Sequence, residues 1–413
     1  MSQAFLTYRM GHLLSLIRAG RAPPSGDGAL RFELTEEQED IRQAVREFCE
    51  KEFDPELARE LDRKEEFPWE LYRKACELGF IGIHFPEEYG GGGYGYVEAA
   101  IVAEEMCKAD STLGTALILS DIGCDVILHF GSEEQKERYL SLVAGGRGLS
   151  AIALTEPARG SDLSARLDTT AVREGGEWVI NGVKTLITNA PIASFYITLC
   201  QTDTSVEPPY RGQTLFIVEA DTPGLEATKI RDKMGIRASS TGEVAYSDVR
   251  VPDETIVGQL NRGFYHALAF LDESRVEIAA HALGIAEGAL ERALRYAKER
   301  VAFGRPLVQH QAIAHKLAEM ATKIEATRLL VYKAAWALDE GRLDPALSSM
   351  AKTLAGRVAV EVCDEAVQIL GGYGYIGDYD VERFYRDAKI TEIYEGTKEI
   401  QLNTIAKFLS RGR

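Results

Sequence analysis

Trp178-Val179-Ile180-Asn181-Gly182-Val183-Lys184-Thr185-Leu186-Ile187-Thr188 is the stretch that decides the fold, because it interrupts a chain with otherwise helical periodicity. Its β-branched and aromatic residues favour strands, and Asn181-Gly182 is typical of a two-residue hairpin turn. We therefore predict a hairpin with strands at 178–180 and 184–188. Further strand patterns flank it at 149–154, 169–173, 195–201, 214–219, 243–246 and 249–251. Residues 151–255 thus predict a middle domain that is a β-barrel or β-sandwich.

The residues before this block, 32–150, have a helical period. Thr35 with Gln38 predicts a capping box, and Ile41 and Val45 begin one apolar stripe. We predict an all-α N-terminal domain with further helices over 67–79, 96–108, 112–130 and 132–143.

The helical period returns after the β block and persists over 256–413. Short connections between long amphipathic helices favour an antiparallel bundle. We expect four helices, over Phe264–Arg300, Gln309–Glu340, Pro345–Leu370 and Val381–Leu409. The predicted fold class is therefore α+β multidomain, with an all-α domain, a β-barrel or sandwich, and a C-terminal four-helix bundle.

Composition excludes several classes of function. The 413 residues carry 47 basic and 64 acidic side chains, a net charge of −17, which argues against nucleic acid as the main partner. No apolar run approaches the roughly 18 residues that a membrane-spanning helix needs. The six cysteines show no CxxC spacing, which predicts buried thiols in a reducing compartment. The histidines are scattered, so we expect no metal site.

Residues 1–31 form an N-terminal extension. Its first 26 residues contain Arg9, Arg18 and Arg21, no acidic residue, and apolar residues at helical spacing. That composition suits a mitochondrial presequence. The alternatives are a surface helix, or upstream sequence included by a mis-chosen start. We expect a cytoplasmic protein, or one of the mitochondrial matrix if the presequence interpretation holds.

Near the C-terminus, Ile393-Tyr394-Glu395-Gly396-Thr397 places one carboxylate between an aromatic residue and a glycine. A carboxylate flanked by apolar groups loses hydration, so its pKa rises and it can act as a base near neutral pH. The glycine lets another molecule approach the backbone closely. Taken alone, the same pattern also suits a solvated helix cap.

Five segments follow one family pattern in chain order. They are Leu154–Asp162, Lys184–Asn189, Glu299–Gly304 with His310-Gln311, Gln368–Asp387, and Arg386–Thr397. On these segments the chain resembles the flavin-dependent acyl-CoA dehydrogenases over about residues 35–410.

The resemblance implies FAD bound between the middle domain and the C-terminal bundle, usually in a homotetramer. Some of the C-terminal contacts would then come from a neighbouring subunit. The implied cofactor contacts are Ile152, Leu154, Thr155, Ser161, Leu186, Ile187, Thr188, Arg300, Phe303, Gln311, Gln368, Gly371, Gly372, Thr397 and Glu399. The implied acyl-CoA contacts are Ser161, Asp272, Arg275, Tyr394 and Gly396.

The resemblance also implies a reaction in which Glu395 removes the α-proton of an acyl-CoA while flavin N5 accepts the β-hydride. The product would be a trans-2-enoyl-CoA, and the electrons would pass to an electron-transfer flavoprotein. The Glu395 N–H and a ribityl hydroxyl would meet the enolate oxygen. Some family members place the base immediately before Arg275, but that position is Ser274 here, which cannot act as a base.

Three residues depart from the family pattern. Arg159 replaces a small residue, Leu186 replaces an aromatic beside the flavin, and Ala302 stands where some members have a hydroxyl. Leu186 keeps open an acyl-CoA oxidase-like protein that returns electrons to oxygen. A catalytically idle binding or scaffold protein with the same fold is the other alternative.

The acyl group is left open among straight, branched and alicyclic chains. An ungapped comparison places the carboxylate-binding arginine of glutaryl-CoA dehydrogenases at Gly114, which argues against a dicarboxylyl substrate. Thr115, Leu117 and Ile118 would make the far end of the pocket apolar.

Overall fold

The computed structural model describes residues 32–410. The N-terminal helices are α1 (Glu36–Glu52), α2 (Pro55–Lys64), α3 (Trp69–Glu77), α4 (Tyr96–Ala109), α5 (Ser111–Ile118) and α6 (Cys124–Phe130). Short helical segments follow at Glu133–Gln135, Lys136–Leu140 and Ser141–Ala144. The Thr35–Gln38 capping box predicted from sequence is confirmed. The expectations for residues 1–31, including the presequence, lie outside the described residues.

The single helix predicted over 112–130 is wrong, because α5 and α6 are separate and Gly123 between them has φ 92°. The start of α5 is fixed by Asp110, whose carboxylate accepts from the N–H groups of Thr112 and Leu113. The same carboxylate accepts two hydrogen bonds, 2.8 and 2.7 Å long, from Arg383 of the C-terminal domain. The N-terminal helices are therefore anchored directly to the C-terminal ones.

The middle of the chain forms a seven-stranded sheet within the described residues. Its strands are β1 (Ser150–Ala153), β2 (Thr170–Glu174), β3 (Glu177–Thr188), β4 (Phe195–Gln201), β5 (Gln213–Glu219), β6 (Leu225–Lys229) and β7 (Thr241–Pro252). The order is β1-β4-β2-β3-β7-β6, and β5 pairs with β4. The β1–β4 pair is parallel, whereas β3 is antiparallel to both β2 and β7.

The hairpin predicted at Asn181-Gly182 is wrong. The turn lies at Gly175-Gly176, where both residues have positive φ (61° and 95°), and β3 runs unbroken through Asn181. Gly182 is needed for a different reason, because a Cβ there would come within 2.5 Å of Thr169 Cα. The pairing of β3 with β7 also shifts register between Ile180 and Gly182. The glycine thus serves a bulge and a close packing contact.

Two further strand predictions need correction. The patterns at 243–246 and 249–251 belong to one strand, β7, which contains Asp248 at φ 53°. The strand β6 was missed, because its side chains alternate between half-buried and exposed positions on the edge of the sheet.

The C-terminal helices are α7 (Gly263–Glu299), α8 (Gln311–Asp339), α9 (Pro345–Leu370), α10 (Val381–Ala388) and α11 (Lys398–Leu409). A two-stranded hairpin, β8 (Val301–Ala302) with β9 (Arg305–Pro306), connects α7 to α8. The single helix predicted over Val381–Leu409 is wrong, because α10 and α11 are separated by a 3₁₀ turn and residues 393–397. That break contains Glu395.

The sheet presents one face to the helices. Along β1, Ala151 and Ala153 belong to the core of the β domain, whereas Ile152 and the following Leu154 belong to the large core shared with the helices. This alternation follows from the period of two along a strand, and burial on both faces explains the continuous apolar run of β1. All six cysteines are buried and unpaired, which confirms the prediction of buried thiols. Within residues 32–410, no helix is long and apolar enough to cross a membrane.

Candidate active site

Glu395 and Gly396 form a left-handed turn between α10 and α11. Their φ angles are 54° and 92°, and the left-handed conformation costs a non-glycine residue about 1–2 kcal/mol. A Cβ at Gly396 would come within 2.6 Å of Gln401 Nε2, so a side chain there would displace the Gln401 amide group. Thr397 then caps α11 by accepting from the Ile400 N–H. The backbone at the candidate base is therefore held in a conformation that it would not adopt alone.

Three side chains hold this turn through its carbonyl groups. Gln401 Nε2 donates to both the Glu395 and Gly396 carbonyl oxygens, at 3.1 and 2.9 Å. Arg275 Nε donates to the Glu395 carbonyl at 3.3 Å, and Lys352 Nζ donates to the Gly396 carbonyl at 2.7 Å. These donors come from α11, α7 and α9, so the position of Glu395 depends on three helices.

The Glu395 carboxylate is half-buried, and its Oε2 atom accepts from Ser274 Oγ at 2.8 Å. Burial raises the pKa of Glu395 above its usual value, against the opposing effects of Ser274, Arg275 and Lys352. A carboxylate in this state is suited to accept a proton near neutral pH. The sequence predicted only that Ser274 cannot act as a base. The structure shows that Ser274 contacts the candidate base directly.

Tyr394 anchors the other side of the turn through a chain of buried hydrogen bonds. Its hydroxyl lies 2.6 Å from His281 Nδ1, and His281 Nε2 lies 2.7 Å from Thr115 Oγ1. Thr115 donates its hydroxyl proton to the Ser111 carbonyl, so His281 Nε2 donates to Thr115 and Nδ1 accepts from Tyr394. Burial lowers the pKa of His281 to about 3, so this histidine is neutral.

Asp272 and Arg275, both expected to contact acyl-CoA, form a buried ion pair on α7. Arg275 Nη1 lies 2.7 Å from Asp272 Oδ1, and both side chains are almost fully enclosed. Because Arg275 also reaches the Glu395 carbonyl, the pair links the expected substrate contacts to the candidate base.

On the sheet side, a buried ion pair fixes the loop that follows β1. Lys184 Nζ donates to the Leu154 carbonyl and to Glu156 Oε1, both at 3.0 Å, and both charged side chains are fully buried. Glu156 also accepts from the N–H groups of Asp168 and Thr169, at 2.8 Å each. Ile152, Leu154 and Thr155 are thereby held at the boundary between sheet and helices.

Leu186 projects from a bulge in β3. The β3–β7 register shifts between Lys184 and Ile187, Leu186 has φ 58°, and 64% of Leu186 is exposed. The neighbouring Thr185 N–H donates to the Thr155 carbonyl at 3.0 Å. The bulge therefore brings the Leu186–Thr188 segment against the loop after β1, so these two sets of expected cofactor contacts meet.

Two of the three residues that depart from the family pattern, Arg159 and Ala302, have hydrogen-bond partners in the structure. Arg159 Nη1 pairs with Asp168 Oδ2 at 2.5 Å, so its guanidinium is held by the β domain itself. The Ala302 carbonyl accepts from His310 Nε2 at 3.0 Å, which fixes the β8–β9 hairpin. Ser161, two residues after Arg159, is exposed at the same loop.

The remaining expected cofactor residues form a separate set at one end of the C-terminal helices. A cavity of about 460 Å³ lies there, and Gly371, which ends α9, donates its N–H to the Gln368 carbonyl. Phe303, at the tip of the β8–β9 hairpin, is 98% exposed, and Gln311 is the first residue of α8. The cavity is lined by Tyr296, Arg300, Leu307, Ile369, Leu370, Gly372, Tyr373 and Ile376. No residue of the Glu395 turn or of the sheet is among these lining residues, whereas Thr397 and Glu399 directly follow that turn.

A group of titratable side chains adjoins Ser274, and sequence reasoning missed it. Asp125, His129 and Glu273 each offer one ligand atom within 4.8 Å of the others. Glu273 Oε2 already lies 2.8 Å from His129 Nε2 and 3.1 Å from Tyr96 OH. The absence of a metal site stays a prediction. The four-residue spacing of Asp125 and His129 on α6 is visible in the sequence, but Glu273 lies on α7, 144 positions after His129, and only the fold brings it to the other two.

Lys352 and Gln401 were also missed. Lys352 is the only lysine of α9, where it stands between Ala351 and Thr353, and it is 1% exposed. Lys352 is also the only charged residue between Pro345 and Gly356, and this is a signal that could have found it. Gln401 is fully buried and offers no comparable signal.

Comparison with known proteins decides the family. The chain matches the family model for the acyl-CoA dehydrogenase N-terminal domain over residues 35–147, the middle domain over 151–249, and the C-terminal domain over 261–410. The chain belongs to the acyl-CoA dehydrogenase family. Members of the family are FAD-dependent flavoproteins and oxidoreductases that act on CH–CH groups.

Three relatives illustrate the similarity. The chain is 44% identical to an acyl-CoA dehydrogenase of Bacillus subtilis over 380 residues, which covers 92% of this chain and 99% of the relative. It is similar to the solved butyryl-CoA dehydrogenase of Megasphaera elsdenii, with TM-score 0.88, 41% identity, and coverage of 92% and 100%. It is also similar to a chain in a structure of the electron transferring flavoprotein of Acidaminococcus fermentans, with TM-score 0.89, 43% identity, and coverage of 93% and 100%.

The residues at the 460 Å³ cavity fit the adenosine and phosphate portion of FAD. Arg300 supplies a cation for phosphate, and the rings of Tyr296 and Tyr373 supply aromatic faces. Space above Gly371 and Gly372 is open, because a Cβ at either position would meet no atom within 4 Å. These are the groups that a dinucleotide end with charged phosphates and an aromatic base requires.

One substrate argument from the sequence fails. A Cβ at Gly114 would come within 2.6 Å of the Met106 backbone, so position 114 faces α4 and carries no information about an acyl pocket. The expectation of an apolar end is also incomplete, because the Thr115 hydroxyl contacts His281, whereas Leu117 and Ile118 are buried apolar residues.

Proposed function

We propose that the protein dehydrogenates an acyl-CoA thioester between Cα and Cβ to give a trans-2-enoyl-CoA, with Glu395 as the catalytic base. The observation that carries the proposal is the half-buried Glu395 carboxylate, whose pKa is raised by burial and which is held on a left-handed turn by three helices. A base positioned in this way is what removal of a weakly acidic α-proton requires.

The two carboxylate oxygens and the backbone N–H of Glu395 have different proposed roles. Ser274 engages Oε2, so Oε1 is the atom proposed to take the α-proton. The Glu395 N–H is proposed to donate to the thioester oxygen as negative charge develops there, and such a donor is typically worth about 3–4 kcal/mol. Bound FAD supplies the acceptor for the β-hydride. Asp272, Arg275, Tyr394, Gly396 and Ser161 are the proposed substrate contacts.

A homotetramer is part of the proposal, because the proposed cofactor residues form two sets within one chain. Ile152, Leu154, Thr155, Ser161, Leu186, Ile187 and Thr188, with Thr397 and Glu399, form one set around the β domain and the Glu395 turn. Arg300, Phe303, Gln311, Gln368, Gly371 and Gly372 form the other. The almost complete exposure of Phe303 supports the proposal that a second copy brings the two sets together. The domain boundaries at 32–150, 151–255 and 256–413 remain proposals as well.

We propose an electron-transfer flavoprotein as the electron acceptor. The similarity to a chain in a structure of the electron transferring flavoprotein of Acidaminococcus fermentans supports this partner. The rival is transfer to oxygen, which is favoured by the exposed Leu186 in place of an aromatic. The peroxide yield during turnover, with and without an electron-transfer flavoprotein, separates the two.

Short acyl chains are the proposed substrates, supported by the similarity to butyryl-CoA dehydrogenase. Fatty acid β-oxidation in the cytoplasm is the proposed setting, and the mitochondrial matrix is the alternative if residues 1–26 are a presequence.

The test uses purified protein carrying its flavin and a panel of acyl-CoA thioesters of different length and branching. We expect flavin bleaching with short straight chains and a loss of about 10²- to 10⁴-fold in turnover for Glu395→Gln. Glu361→Gln, an exposed carboxylate on α9, is the matched control. Absence of flavin, or full activity of the Glu395→Gln enzyme, would overturn the proposal.

A further inference from the structure

Lys352 is a buried ammonium group without a paired carboxylate. It is 1% exposed, and among residues 32–410 no carboxylate oxygen lies within 4.0 Å of its Nζ atom. Its hydrogen bond goes instead to the Gly396 carbonyl at 2.7 Å. Burying a charge without an ion pair is costly, so a purely structural role would be served better by an apolar residue of similar length.

The charges that act on Lys352 come from α7, from the turn that carries Glu392 and Glu395, and from α11. Glu395 is the strongest of those that stabilise the ammonium form, Arg275 on α7 opposes it, and Glu392 and Glu399 act from either side of the turn. Glu392 is already engaged by lysines of its own turn and of α11. Among the neighbouring charges, that of Glu395 therefore has the largest effect on the pKa of Lys352.

The effect is reciprocal. Lys352 and Arg275 both favour the ionised form of Glu395, against the burial that disfavours it. Arg275, which pairs with Asp272 at 2.7 Å, has the larger of the two effects, and Lys352, which has no carboxylate partner among residues 32–410, adds to it. At the same time its hydrogen bond holds the carbonyl that follows Glu395.

We propose that Lys352 is a positioning residue for the proposed base, which holds the Glu395–Gly396 turn through the Gly396 carbonyl and keeps the Glu395 carboxylate ionised through its charge. The inference rests on the proposed role of Glu395. Because Lys352 Nζ bonds to the Gly396 carbonyl, its proposed action is through the Glu395–Gly396 turn.

The experiment measures the protonation of Glu395 directly. The infrared carbonyl band of the protonated carboxyl group, assigned by its loss in Glu395→Gln, is titrated in the flavin-loaded protein and in Lys352→Met, Lys352→Gln and Lys352→Arg. We expect the midpoint to rise by about one pH unit in the Met and Gln variants. It should stay near the wild-type value in the Arg variant. Lys323→Met, on the exposed face of α8, is the control.

Turnover gives a second readout. Burial lowers the pKa of Lys352 to about 8, so the alkaline limb of kcat is expected near that pH and should vanish in Lys352→Arg, since arginine stays charged. In Lys352→Met, kcat below neutral pH should fall about tenfold, the effect of a one-unit shift, with little change in KM.

An unchanged Glu395 midpoint in the Met and Gln variants would overturn the inference. If neither variant folds, the Arg variant decides, because a persistent alkaline limb near pH 8 would also overturn it. The proposed function fails separately, through full activity of Glu395→Gln, whatever the infrared titration shows.

Discussion

Two glutamates, each near a buried lysine, have pKa values shifted in opposite directions. Lys184 and Glu156 lie 3.0 Å apart with both side chains fully buried, and Glu156 also accepts from two backbone N–H groups. Burial alone would raise the pKa of Glu156, but Lys184 and these N–H groups outweigh it and lower the value. Lys352 and Glu395 do not touch, and the pKa of Glu395 is raised.

The comparison separates a structural carboxylate from a reactive one. The charge of Glu156 is compensated by Lys184 and by two backbone N–H groups, so Glu156 fixes the loop after β1 and its affinity for a proton is lowered. Among residues 32–410, the Glu395 carboxylate accepts a hydrogen bond only from Ser274, and Lys352 donates to the carbonyl of the next residue, Gly396, instead. Because the negative charge of Glu395 is only partly compensated, the folded protein is less stable but the carboxylate stays basic. Such a loss of stability in return for reactivity is expected at a catalytic site.

Breaking the compensated pair should have the largest effect on stability. Lys184→Met leaves the Glu156 charge buried, and we expect the free energy of unfolding to fall by about 3–5 kcal/mol. Urea unfolding of the flavin-loaded protein measures it. The double variant Glu156→Gln/Lys184→Met should recover part of the loss, because it leaves no unpaired charge. A loss below about 1 kcal/mol would mean that water reaches the pair and compensates it.

Removing the donor to the base should change chemistry more than folding. Ser274→Ala deletes a hydrogen bond to a charged group, worth about 1.5–3 kcal/mol. Since Ser274 favours the ionised form, the pKa of Glu395 should rise further. The acid limb of kcat/KM should therefore move to higher pH by about 1–2 units. Ser274→Thr, which keeps the hydroxyl, should leave the limb in place, and an unmoved limb in Ser274→Ala would contradict the assignment.

Neutralising the base should stabilise the fold. The folded-state pKa of Glu395 lies above the unfolded value, so wild-type stability falls as pH rises through the interval between the two values. Glu395→Gln should then raise the free energy of unfolding by about 0.5–2 kcal/mol at pH 8, with the gain vanishing below about pH 4. Glu156→Gln should do the opposite at pH 8. If both substitutions changed the free energy of unfolding in the same direction at pH 8, the two carboxylates would not differ as proposed.

The smallest effect is expected two residues beyond Lys184. Leu186→Ala removes a side chain that is 64% exposed, so the free energy of unfolding should change by less than about 0.5 kcal/mol. Urea unfolding beside Ile187→Ala, whose side chain is 3% exposed, gives the contrast. A large loss at Leu186 would show that the bulge contributes to the core.

Local sequence patterns predicted most elements of the fold but not their interruptions. Periodicity identified α7, α8 and α9 and the strand at 195–201, because a face buried along a whole element leaves a regular apolar spacing. The turn propensity of Asn181-Gly182 predicted a hairpin there, but that dipeptide fits both a tight turn and a bulge. Packing against Thr169 decided for the bulge.

At the site, the residues around Glu395 suited either a base or a solvated cap, and the family resemblance favoured the base, together with the loop after β1 and the Leu186–Thr188 segment. Only the tertiary structure showed that the last predicted helix breaks at Glu395, since the left-handed turn is stabilised by donors from three helices and not by its own residues. Ser274 precedes Glu395 by 121 positions and Lys352 precedes Gly396 by 44. A pKa depends on such neighbours in space. The sequence therefore determined that position 395 carries a carboxylate, whereas the packing of the helices determined how basic that carboxylate is.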